Sequence, residues 1–351
     1  MGAVGTSPSR LIQSPIHPSF LPLLDDDFKE YYNLYFAYKP PAHTAGIEAI
    51  RSAPKQYSQH WCRDFTFEPF VNDIKILSHD GRKITARVYS PDARTSTFGS
   101  GPYPVYINFH GGGYTLGDLT VDAELCMLIR NRVGITVIDV DYRLCPENTF
   151  LEGHDDGWAA IQWIHTHGHE LNTLPDSISI GGISAGGHIS AVCQQLARDA
   201  GLPLKLAVLT IPTTTSHLGL TKALDSPYPS FVENELAPCL DWHRMKFFID
   251  NIAPKSSAEM QSIQDRPRFY KSPIEGNLRG VCKTFVATAE FDLVRDEGEA
   301  YAQKLWNAGV AVIFRRYTGV PHLFPYLLNI RKAQMYLDDV CAALREAHSQ
   351  D

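Results

Sequence analysis

"SISIGGISAGGHISAVCQQLA", residues 177–197, sets Ser184 between Gly182 and Gly186, a Gly-x-Ser-x-Gly pattern. The run 177–180 reads as a buried strand and 185–199 as a helix, so the serine stands where one becomes the other. A chain that turns from strand to helix at a single residue strains that residue's backbone and leaves no room for Cβ atoms beside it. Gly182, Gly186 and Gly187 supply that room. In this context the turn lifts the serine hydroxyl above the sheet edge, and the N–H groups opening the helix point at any oxyanion formed there. The five letters alone also describe a plain glycine-rich turn, so the choice rests on the rest of the chain.

Working outward, apolar runs alternate with helical segments. Strands are predicted at 103–109, 135–140, 177–180, 204–211, 283–289 and 310–317. Helices are predicted at 119–132, 155–166, 185–199 and 296–308, with a last one after Phe324. Such alternation builds a parallel sheet covered by helices on both faces. Ahead of it, "DIKILSHDGRKITARVYS" alternates apolar and polar residues around Asp80-Gly81, a hairpin signal. Residues 1 to about 65 are rich in proline and aromatics, with one amphipathic segment at 23–38. Residues 212 to about 275 break the alternation and carry a helical patch at 238–252 but no convincing strand. They read as an insertion at a strand's C-terminal end, where open α/β sheets place their ligands.

Composition narrows the partners. A net charge of −7 over 351 residues, with no basic run, argues against a nucleic-acid surface. No stretch approaches the ~18 apolar residues of a spanning helix. The first twenty residues lack the charged start and apolar core of a secretory signal. Seven cysteines stand singly, which reads as reduced thiols in a cytoplasmic protein. His165, His167 and His169 in "HTHGHE" read as a polar loop and not as a metal site.

Three further pieces fall at predicted strand ends. His110-Gly111-Gly112-Gly113 follows strand 103–109, and a bare glycine run lets backbone N–H groups face a reacting carbonyl. A phosphate loop would need a Lys-Ser/Thr pair, which is missing. Asp292 lies past strand 283–289 and His322 past the last strand. A serine hydroxyl needs a base to take its proton, and that base needs an acid to hold its tautomer. The order Ser184, Asp292, His322 is that of the α/β-hydrolase fold. Asp296, where the helical pattern begins, reads as a cap for its own helix's free N–H groups.

From "HGGGY", "DYRLCPE" (141–147), "GISAGG" (182–187), "SPIEGNLRG" (272–280), "AEFDLVRDEGEAYAQKLWNAGV" (289–310) and "GVPHLF" (319–324), the chain resembles the hormone-sensitive-lipase-like α/β-hydrolases, which include many microbial and fungal esterases. The resemblance covers roughly residues 25–345. It implies a mostly parallel eight-stranded sheet in one domain over 1–351. It also implies an oxyanion hole from Gly112, Gly113 and Ala185, and a helical cap made from about 1–65 and about 212–275. The implied activity is cofactor-free hydrolysis of a small carboxylic ester through an acyl-serine. Lactonase, thioesterase or acyltransferase chemistry shares that triad. A non-catalytic receptor on the same fold is a different class, and His322 argues against it, because the receptor that resembles these esterases has lost that histidine. The oligomeric state is left open, a homodimer included. The chain departs from the family pattern at Ile183, where many members have an acid, at "CPENTF", and at Leu323, where glycine is frequent. Asp141 and Arg143 read as a pair that fixes the surrounding loops. Tyr228, Phe231, Trp242, Phe247 and Phe248 either line an acyl pocket or form the cap's own core.

Overall fold

Alternating burial explains the first hairpin. β1 (Val71–Leu77) and β2 (Lys83–Tyr89) pair antiparallel around Gly81, whose φ of 84° suits glycine. In the computed structural model, which describes residues 11–57 and 61–349, they open one eight-stranded sheet. The others are β3 (Tyr103–Phe109), β4 (Thr136–Asp141), β5 (Thr173–Ile183), β6 (Leu206–Thr210), β7 (Thr284–Phe291) and β8 (Val312–Pro321). The order is β1-β2-β4-β3-β5-β6-β7-β8, parallel from β4 onward.

The apolar runs are strands buried on both faces, and neighbouring residues serve opposite layers. On β6, Leu206 and Val208 pack with the helices Ala123–Val133 and Arg331–His348. Ala207 and Leu209 pack with Phe150–His167, Ala185–Asp199 and Arg295–Asn307.

Several boundaries differ from the sequence reading. The helix expected at 155–166 starts at Phe150, because Thr149 and Glu152 form a reciprocal capping box. β5 runs from Thr173, four residues before the predicted start, and the helix expected at 119–132 begins at Ala123. The insertion holds helices at Trp242–Ile252 and Ser257–Asp265. The N-terminal region holds Asp26–Tyr35, with Phe28, Tyr31 and Tyr32 buried. Residues 1–10 and 58–60 of the expected cap, and 350–351, lie outside the described residues.

The expected Asp141–Arg143 pair does not form. Arg143 binds Asp156 bidentately, at 2.8 and 2.7 Å, and reaches Asp80 at 2.6 Å. Asp156 is fully buried and also accepts from Ser78 Oγ at 2.6 Å, so this arginine ties the first hairpin to the helix 150–167. His165 and His167 sit in the last turn of that helix, bonded to the carbonyls of Pro175 and Trp163. Among the described residues no three His, Cys, Asp or Glu side chains are grouped to hold a metal.

On the sheet's Arg331–His348 side, His348 is 4% exposed and bridges Ser177 Oγ and Ser179 Oγ at 2.9 and 2.8 Å. Burial lowers its pKa from 6.5 to about 4, and burial does the same to His188. Both therefore bind fewer protons folded than unfolded between those two pH values. Their stabilisation is complete above pH 6.5 and is lost as pH falls toward 4. Urea midpoints should drop between pH 7.5 and 5, and His348→Gln should drop less over that interval than wild type. Equal pH slopes for the two proteins would remove His348 from this account.

Candidate active site

β5 ends at Ile183, and the helix Ala185–Asp199 starts at the next residue but one. Ser184 between them has φ 57° and ψ −114°, a conformation costing about 1–3 kcal/mol for a non-glycine residue. Its N–H donates to Thr210 O at 2.9 Å, and its carbonyl accepts from His188 N at 3.0 Å. The flanking glycines are there for backbone approach. A Cβ on Gly186 would lie 1.8 Å from Phe109 O, and one on Gly182 2.3 Å from the same atom.

His322 directly follows β8 and Asp292 directly follows β7. His322 Nδ1 is 2.7 Å from Asp292 Oδ2, and Nε2 is 2.9 Å from Ser184 Oγ. A carboxylate only accepts, so Nδ1 carries the proton and Nε2 is left to accept from the serine hydroxyl. Asp292 is fully buried and His322 4% exposed. The other carboxylate oxygen, Oδ1, accepts from Val294 N at 3.1 Å. All three predicted residues are thus brought together in one hydrogen-bonded chain.

The glycine loop faces the same cleft. Gly112 and Gly113 have φ of 129° and 59°, where a side chain is strained. A Cβ on Gly113 would also strike the Phe248 ring at 2.4 Å. Ala185 opens the helix behind Ser184, so its N–H belongs to the first turn, which has no intrahelical acceptor. Behind the loop, Asn108 Nδ2 donates to Asp122 at 3.0 Å and Asp139 at 2.8 Å. Burial raises both carboxyls, Asp139 well above the usual carboxylate range.

The cleft is a small cavity of about 40 Å³. Ile183 and Leu323, two of the departures from the family pattern, both line it. Of the five aromatics considered, Phe248 alone lines it. Phe231 and Trp242 are buried with Met245 and Ile249, Tyr228 packs on that cluster, and Phe247 packs beside Ile50 and Leu116. The wall also includes Trp61, Arg244 and Tyr326, which the sequence reading missed. Asp296 differs too. Its carboxylate accepts from Ser230 N at 2.8 Å and Arg295 Nε at 2.7 Å, so the N–H it satisfies belongs to the insertion and not to its own helix.

The family model described as alpha/beta hydrolase fold matches residues 106–326. The carboxylesterase NlhH of Mycobacterium tuberculosis is 37% identical over 242 residues, 68% of this chain and 70% of that protein. An arylesterase of Saccharolobus solfataricus is 33% identical over 259 residues, 72% of this chain and 76% of its own. A solved bacterial heroin esterase superposes with a TM-score of 0.80 at 26% identity, over 94% of this chain and 99% of that one. A hyperthermophilic esterase from Pyrobaculum calidifontis gives 0.77 at 27%, over 92% and 98%.

The elbow makes a paired prediction. Gly186→Ala drives a methyl group into the Phe109 carbonyl and should cost at least the ~1–3 kcal/mol of an overpacked core. Gly187→Ala meets Pro212 at 3.1 Å and should cost less. Thermal melts of both variants decide it. Equal melting temperatures would contradict the contact.

Proposed function

The chain belongs to the α/β-hydrolase fold family, and on that premise we propose that it hydrolyses small carboxylic esters with Ser184 as nucleophile, His322 as general base and Asp292 as the acid that holds the imidazole. The observation that carries this assignment is the unbroken chain Asp292–His322–Ser184 at 2.7 and 2.9 Å, ending on a serine in a strained turn.

Ser184 Oγ attacks the ester carbonyl while His322 Nε2 takes its proton. The N–H groups of Gly112, Gly113 and Ala185 receive the carbonyl oxygen as it becomes an oxyanion. The tetrahedral intermediate collapses, His322 returns the proton to the leaving alcohol oxygen, and an acyl-serine is left. Water, deprotonated by the same imidazole, attacks the acyl carbon, and the acid leaves as Ser184 regains its proton. Asp292 stays ionised throughout and stabilises the imidazolium. The described parts of 1–65 and the insertion 212–275 are assigned as the cap: Trp61 from the first and Leu240, Arg244 and Phe248 from the second close over Ser184. The small cavity suits short acyl arms. No helix among the described residues is long and apolar enough to cross a membrane. Seven free cysteines support a reducing, cytoplasmic setting.

Ser184→Ala should fold as wild type does and keep at most ~10³–10⁴-fold catalysis over water. A fluorophosphonate should add one adduct to wild type, at Ser184, and none to the variant. Wild-type turnover by a folded Ser184→Ala protein would end the reading. Between the two acids, Asp292→Asn keeps the shape but favours the wrong tautomer, and should cost about 10⁴ in kcat. Asp296→Ala should cost about 1 kcal/mol of stability, the scale of a lost cap, and far less activity. The opposite pattern in kcat and Tm would reassign the acid.

A further inference from the structure

The chain as a whole is acidic, at −7. Beside the catalytic cleft, however, the N-terminal segment and the insertion enclose a cavity of about 380 Å³ in which cations predominate. Lys39 and Arg244 line it, together with His17, His43 and His243, and Asp241 is the one acid among its described lining residues. Asp241 is already engaged, since it caps the helix 242–252 by accepting Arg244 N at 2.7 Å and lies 3.9 Å from His43 Nδ1. The His43 and His243 rings stack with centroids 5.6 Å apart. Lys39 is held in place, donating to Lys55 O at 2.7 Å while its stem is half-buried. Lys39 and Arg244 against Asp241 leave the space one net positive charge before any histidine is protonated, against the sign of the molecule.

This vestibule and the cleft over Ser184 share three wall residues, Cys239, Arg244 and Leu323. The leaving alcohol oxygen takes its proton from His322 Nε2, so the alcohol arm of a bound ester departs on the His322 side. Leu323, the next residue, borders both spaces. We propose that the vestibule receives a carboxylate borne on the alcohol arm, so that the preferred substrates are esters of hydroxy acids or of acid-bearing phenols. The inference rests on the esterase reading above and adds the substrate class.

The test compares 4-acetoxybenzoate with its neutral counterpart 4-acetoxybenzamide. The amide is the more electron-withdrawing substituent, so intrinsic reactivity favours the neutral ester, and a preference for the anion has to come from binding. Wild type should favour the carboxylate about fivefold in kcat/KM at low ionic strength, the scale of one partly exposed ion pair. That ratio should fall toward one at ~1 M salt, where the Debye length is ~3 Å. Lys39→Met should lower the low-salt ratio, with the change in KM and not in kcat. A wild-type ratio at or below one, or a ratio indifferent to salt, overturns the proposal. The two levels separate cleanly. If the amide and phenyl acetate are hydrolysed but the carboxylate gains nothing, only the vestibule proposal falls. If none of the three esters is hydrolysed, the esterase reading falls with it.

Discussion

The Phe109 carbonyl at the end of β3 packs directly on the backbone of the Ser184 turn, and most of the site follows from that contact. Phe109 pairs with Gly182 in the β3–β5 ladder, and its oxygen occupies the space that a Cβ on Gly182 or Gly186 would need. Two parallel strands thus finish at the same level with no side chain between their last turns. The residues that follow Phe109 are His110 to Gly113, so the glycine loop is delivered beside Ser184 by strand register alone. The strain at Ser184 persists because this packing, with the Thr210 and His188 backbone bonds, leaves the chain no other path.

A buried carboxylate is costly unless its oxygens are bonded, and the segment carrying Asp292 meets that requirement while also anchoring the insertion. Asp292 uses its carboxylate on His322 and Val294 N, and its main-chain carbonyl accepts from Asn234 of the insertion at 2.9 Å. Asp296 accepts from Ser230 N. The fully buried Glu297 accepts from Thr214 N at 2.7 Å and from His217 Nε2 at 2.8 Å. One run of chain, Asp292 to Glu297, therefore fixes the imidazole on one side and holds down the insertion on the other. Displacing the insertion would disturb the backbone of Asp292, which couples the walls of the cleft to the position of the His322 imidazole.

The frame of the fold, and the meeting of Ser184, Asp292 and His322 in one hydrogen-bonded chain, were legible because each rests on local pattern: a buried run marks a strand, a glycine cluster marks a turn, and chain order marks which strand end carries which group. What was not legible depends on tertiary approach. Arg143 lies two residues from Asp141, yet its partner Asp156 is 13 residues further on, inside the helix 150–167. Trp61 and Tyr326 carry no local signal for lining the cleft. The early start of the helix at Phe150 was hidden because its cap, Thr149, sits among the irregular residues of "CPENTF" and its partner Glu152 lies just beyond them. The division of the aromatics was recoverable. Trp242, Met245 and Ile249 recur at helical spacing and form the insertion's core, which turns Phe247 toward Ile50 and Leu116 and leaves Phe248 at the edge between the two clusters.

The Ser184 turn with its glycine loop and the walls above them are held by different kinds of force. Gly112, Gly113 and Ser184 are placed by backbone against backbone, in conformations and at contact distances that tolerate almost no side-chain change. The walls above them are placed by side chains: Phe248 against the glycine loop, a stacked histidine pair, and Arg244 over the Phe248 ring at 5.7 Å. Substitution in those walls alters the size and charge of the approach without touching the strand register that aligns the reacting groups. The same elbow is thus compatible with an apolar cleft over Ser184 and the proposed cationic vestibule beside it, since neither depends on the contact that holds the Ser184 turn.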